Sequence, residues 1–128
     1  MIVDTSALVA ILFREPGYED LIDVLREKGP SGIAAPTLVE AGIVASARLK
    51  EDASPLLLAL MTELDIAVVP FGEDHARTAV AAWLRFGKGR HTAALNFGDC
   101  ISYAVSKLAK MPLLCVGADF KHTDLDLA

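Results

Sequence analysis

The sequence predicts an α/β fold: a central parallel β-sheet flanked by helices. Two observations predict it. Short apolar runs alternate with longer segments whose apolar residues recur at helical spacing, a pattern that produces parallel strands joined through helices. The 128 residues also carry no repeat, low-complexity tract or linker, so one domain spanning 1–128 is expected. Hydrophobic residues make up 53% of the chain, enough to bury a core and to exclude disorder over most of the length.

Met1 to Asp4 reads as a very short buried strand. Thr5 to Arg14 follows as a helix, with Ala7, Leu8, Ile11 and Leu12 on one stripe and Pro16-Gly17 as its stop. Tyr18 to Lys28 is a second helix, apolar at Leu21, Ile22 and Leu25 and ended by Gly29-Pro30. Ile33 to Ala35 reads as a short strand, and Thr37 to Lys50 as a helix starting just after Pro36. Pro55 to Leu64 is helical. Ile66 to Val69, β-branched and flanked by Pro70, is a strand. Glu73 to Phe86 is a helix and Gly87 to Gly98 a loop. Asp99 to Lys110 is a helix, Leu113 to Val116 a strand, and Leu125 to Leu127 a last short strand. Crossovers between the parallel strands are expected to be right-handed.

Several function classes are set aside. No apolar run reaches the roughly 18 residues of a membrane span, so no membrane partner is expected. The N-terminus lacks a basic region and Asp4 interrupts its apolar stretch, which argues against a secretory signal. Cys100 and Cys115 form no CxxC pair and fit small buried positions in a reduced, cytoplasmic setting. His75, His91 and His122 are scattered, and no local His/Cys set suggests zinc. The net charge of −5 argues against a broad nucleic-acid-binding surface. A nuclease remains open, because a metal and a local basic patch can receive the phosphates.

Four acids converge on this scaffold. Asp4 ends the first strand and Asp119 lies just past the strand at Leu113 to Val116, so both sit at the carboxyl edge of the sheet. Glu40 and Asp99 lie in the first turns of helices that run antiparallel to the strands, which brings them to the same edge. Open parallel sheets bind ligands there. Each acid also has a structural reading: Asp4 and Asp99 as helix caps or first-turn acids, Asp119 as a turn residue. Glu40 shares a helix face with Ile43, Val44 and Ala47, and an acid on a buried apolar stripe is costly without a partner. Several carboxylates in one small site repel each other without a cation. Mg²⁺ suits them, since it takes oxygen ligands and keeps several waters. Asp4 and Asp99 are expected to hold it most directly, with Glu40 and Asp119 acting partly through water. Such an ion orients a phosphodiester, activates water and stabilises the leaving oxygen. The hydroxyls of Thr5 and Ser6 can orient a ligand or cap the helix, and Asn96 can hold the loop before Asp99.

These residues resemble the PIN-domain ribonucleases, and within them the VapC toxins of type II toxin–antitoxin systems. Ile2-Val3-Asp4-Thr5-Ser6-Ala7 is similar to the family's first acidic motif. Glu40, within Thr37-Leu38-Val39-Glu40-Ala41, matches the second acid. Leu95-Asn96-Phe97-Gly98-Asp99-Cys100 matches the third motif, and Gly117-Ala118-Asp119-Phe120 resembles the fourth. His122-Thr123-Asp124 looks like the end of one VapC subgroup, and Ala118 departs from the polar residue common in relatives. The resemblance spans residues 2 to about 126. It implies a single PIN-like domain with sheet order 3-2-1-4-5. It implies Mg²⁺- or Mn²⁺-dependent endoribonuclease activity, a homodimer, and inhibition by a VapB-type antitoxin whose C-terminal segment covers the active-site groove.

Arg85, Lys88 and Arg90, with His91, precede the third acid and are expected to border the site and contact RNA phosphates, against the plainer reading of a solvated loop. Other readings fit less well. A PIN-like binding module without catalysis would not need all four acids. A haloacid-dehalogenase-type phosphatase would want a second Asp where Ser6 stands. A response-regulator receiver would want an Asp after the third strand, which instead runs into Pro70-Phe71-Gly72.

Overall fold

A computed structural model describes all 128 residues. The chain runs β1 (Ile2–Val3), α1 (Thr5–Leu12), α2 (Tyr18–Lys28), β2 (Ser31–Ala34), α3 (Ala35–Leu49), α4 (Ser54–Glu63), β3 (Ile66–Val69), α5 (Glu73–Phe86), α6 (Phe97–Ala109), β4 (Leu113–Leu114) and a 3-10 turn at Asp119–His122. The four strands form one parallel sheet in the order β3-β2-β1-β4. β1 is therefore interior, pairing Ile2 with both Gly32 and Leu113.

Strand alternation divides the core in two. Val3, Ile33 and Leu114 face one layer, where they meet Leu8 and Ile11 of α1, Leu25 of α2, Ala41 and Ala45 of α3, and Leu57 and Met61 of α4. Ile2, Ala34 and Leu113 face the other, against Ala79, Ala82 and Phe86 of α5 and Ile101, Ala104 and Val105 of α6. Helices thus cover both faces of the sheet, as expected of a parallel sheet.

The fifth strand of the expected 3-2-1-4-5 order is reduced to a single bridge between Leu113 and Leu127. The tail does reach the expected place: Leu113 N–H donates to Asp126 O, and Ala128 N–H donates to Leu113 O, both at 2.9 Å. Upstream of the bridge, Leu125 N–H is taken by the Thr123 hydroxyl, which turns the backbone out of a ladder. β4 also ends two residues earlier than the apolar run suggests, because Val116 N–H donates to the Ser6 hydroxyl at 3.0 Å instead of to a strand. β2 begins at Ser31, and α3 takes Pro36 into its first turn, where the missing N–H costs nothing. α6 begins at Phe97, capped by Asn96, so Asp99 is its third residue and not its first.

Candidate active site

Asp4 follows β1 directly and is only 5% exposed. Its side chain caps α1 by accepting from Ser6 N–H at 3.1 Å, and the same oxygen accepts the Ser6 hydroxyl at 2.6 Å. The other oxygen accepts the buried Ser102 hydroxyl at 2.6 Å. Because the Ser6 hydroxyl also receives Val116 N–H, it ties the end of β1 to the segment leading to Asp119.

Glu40 stands in the second turn of α3, half-buried, and accepts the Thr5 hydroxyl. Its carboxylate lies against Gly98: a Cβ there would come within 2.5 Å of Glu40 Oε2. The expected apolar stripe around Glu40 does not form on the inside. Ile43 is 65% exposed, Val44 36%, and Ala47 is also exposed, while α3 buries Thr37, Ala41 and Ala45. An arc one residue out of phase carries the buried side, so the burial argument for Glu40 is replaced by its contacts with Thr5 and Gly98.

Asp99 and Asn96 form a reciprocal capping box. Asp99 N–H donates to Asn96 Oδ1 at 2.9 Å, and Asn96 N–H donates to Asp99 Oδ2 at 3.0 Å. Burial pushes the Asp99 carboxyl up to about 6; the hydrogen bond from Asn96 opposes this, and the charges of Asp4, Asp119 and Glu40 add to it. Asp99 thus feels the charges of the other three acids, which lie near it at the same edge of the sheet. Asp119 opens the 3-10 turn, exposed to solvent.

No cation neutralises this rim. The ion pairs of the protein join Arg48 to Glu15, Arg77 to Glu73, and Arg85 and Lys107 to Asp124. No group of three His, Cys, Asp or Glu side chains is arranged to hold a metal ion in this structure. An all-oxygen donor set with uncompensated charge fits a hard cation that retains much of its water, which is how Mg²⁺ is commonly held.

Two of the three basic residues are engaged elsewhere. Arg85 pairs with Asp124 at 3.4 Å and lies over the Phe86 ring; Arg90 donates to Leu84 O at 3.1 Å and lies over Trp83. Lys88 is exposed and makes no ion pair. None of the three forms an ion pair with the rim.

Two residues escape the sequence reading. Ser102, fully buried, reaches Asp4 from α6; its only signal is a polar residue within the apolar run Ile101 to Val105. Cys115 is half-buried beside the rim, and burial first, then the charges of Asp4, Asp99 and Asp119, push its thiol up to about 11. Nothing in the sequence distinguishes it from a core cysteine.

The family model for the PIN domain matches residues 1–125. The chain is 44% identical over 127 residues to Ribonuclease VapC36 of Mycobacterium tuberculosis, covering 98% of this chain and 91% of that protein. Among solved structures it is similar to Mycobacterium tuberculosis VapC20, a sarcin–ricin loop cleaving toxin, with a TM-score of 0.79 at 18% identity over 99% of this chain and 97% of that one. It is also similar to a chain of VapBC2 from Rickettsia felis bound to a DNA fragment from the promoter, with a TM-score of 0.77 at 14% identity over 99% and 96% of the two chains.

Proposed function

This chain belongs to the PIN domain family and, within it, to the VapC ribonucleases, and from that premise we propose that it is a Mg²⁺-dependent endoribonuclease, the toxic half of a toxin–antitoxin pair. The observation that carries the reading is the rim of four carboxylates without a neutralising cation. Asp4 and Asp99 would hold the ion most directly, with Glu40 and Asp119 acting partly through water. When bound there, Mg²⁺, or Mn²⁺ in its place, would supply Lewis-acid polarisation of the phosphodiester and an activated water for hydrolysis. The chain's own residues prepare the rim: Ser6 holds one oxygen of Asp4, Thr5 holds Glu40, and Asn96 fixes the start of the helix that carries Asp99. Arg85, Lys88 and Arg90 meet the phosphates of the incoming RNA strand, drawn by charge.

The regulating partner in this reading is a VapB-type antitoxin, whose Arg fork suits carboxylates that lack a cation. The similarity to the VapBC2 chain supports it. The active form is a homodimer, supported by exposed apolar residues on α3 and α4 such as Val39, Ile43 and Leu58. No helix is long and apolar enough to cross a membrane, and the protein acts in the cytoplasm, where its RNA is.

Antitoxin-free chain should cut RNA with Mg²⁺ and stop on addition of EDTA. Asp99→Asn should lower the rate more than about 100-fold, beyond the usual loss for an outer-sphere residue, with an unchanged circular dichroism spectrum. Undiminished cleavage by that variant would end the reading.

A further inference from the structure

The two oxygens of Asp4 have separate hydroxyl donors from opposite ends of the chain. Ser6, in α1, donates to Oδ2 through both its N–H and its O–H. Ser102, in the second turn of α6, donates to Oδ1 at 2.6 Å. A carboxylate only accepts, so the shared proton belongs to Ser102. Its oxygen lies 3.5 Å from the Thr37 hydroxyl in the first turn of α3, which can donate in turn.

Ser102 is 0% exposed and flanked by apolar neighbours, a position where alanine would pack and favour the helix. Asp4, at 5% exposure and without an ion pair, depends on these donors to carry its charge. Ser102 also stands one turn beyond Asp99, on the same side of α6, so one helix sets both acids.

We propose that Ser102 is a positioning residue for the metal-binding carboxylate: its hydroxyl fixes the rotation of the Asp4 carboxylate and thereby raises the affinity of the rim for a divalent cation. This rests on the metal-dependent reading above. Outer partners of metal ligands act in this way, typically changing affinity 10- to 100-fold when removed.

Ser106 supplies the control. It lies one turn further along α6, is 1% exposed, and donates its hydroxyl to Met111 O at 2.6 Å, well outside the Asp4 network. The test is Mn²⁺ titration calorimetry on antitoxin-free wild type, Ser102→Ala and Ser106→Ala, with RNA cleavage measured alongside. Ser102→Ala should bind Mn²⁺ at least about tenfold more weakly. It should lower kcat while leaving KM for RNA within about twofold, because Asp4 positions the ion and not the strand. In EDTA, the carboxyl ¹³C resonance of Asp4 should move in Ser102→Ala and stay in place in Ser106→Ala. Ser106→Ala should retain wild-type Mn²⁺ affinity whatever its melting temperature. Should Ser102→Ala not fold, Ser102→Cys, similar in shape with a weak donor, is read the same way. Unchanged Mn²⁺ affinity in the folded variant, or an equal loss in Ser106→Ala, overturns the inference alone. A wild type that neither binds Mn²⁺ nor cuts RNA overturns the metal-dependent reading and the inference with it.

Discussion

Gly98 shows how a single missing side chain shapes the rim. The Glu40 carboxylate occupies the space a Cβ would take, and its tip is flexible enough to be pushed out. Gly98→Ala should therefore fold normally and cut RNA on the order of tenfold to a hundredfold more slowly, the cost of a displaced group; a wild-type rate would show that Glu40 is not needed where it stands. Asp99 gives a pH signature. Its folded carboxyl titrates near 6 and its unperturbed value is 3.8, so between them the folded metal-free protein holds a proton that the unfolded chain has released. That contribution to stability is complete below the unperturbed value and is lost as pH rises through about 6. Melting in EDTA should accordingly fall from about pH 4 to pH 7, and Asp99→Asn should flatten this slope. Asp99 is only half-buried, so solvent screening limits the effect to about 1 kcal/mol. At this scale the sequence is partly legible. Asp4 and Asp99 each have a capping reading and a ligand reading, and the structure satisfies the capping one while leaving both at the rim. Ser102 is illegible because its partner lies 98 residues away.

Helices and interior strands are largely legible because their apolar spacing is strong. The termini of elements are not. Asn96 caps α6 three residues before Asp99, a position the glycine-rich loop obscures, and the phase of α3 is misread because its exposed side is as apolar as its buried one. The tail is the element where local pattern fails most, since Leu125–Leu127 meets β4 through one bridge. Beyond its two backbone hydrogen bonds to Leu113, the tail is held by Asp124, which accepts from Tyr103 and Lys107 at 2.7 Å each. Burial works against its charge, yet these two hydrogen bonds keep its carboxyl below the usual range. Tyr103→Phe should cost about 1 kcal/mol, the net worth of one hydrogen bond. Hydrogen exchange should then quicken over residues 119–128 while α1 stays protected, and uniform protection would mean that the tail is held elsewhere.

At the scale of the molecule, the parallel sheet delivers acids from four separate segments to one edge, which is why the fold class alone locates the rim. The sequence could not separate an outward apolar face from the core, because both read as helical stripes. On α3 and α4, Val39 is 61% exposed, Ile43 65% and Leu58 55%. Ile43→Asp should convert a dimer to a monomer in sedimentation at micromolar concentration, with little change in melting temperature, because the residue contributes nothing to the monomer core. A wild type that already sediments as a monomer would remove the homodimer.

The interior place of β1 has a temporal consequence. The first strand made is completed on one side only when β4, the last, pairs with it. Until residues 113–114 are made, the nascent chain has no strand on that side of Asp4, and until residue 119 is added it carries only part of the rim. Domains mature as units during synthesis, so a site built in this order is completed only once nearly the whole chain has been made.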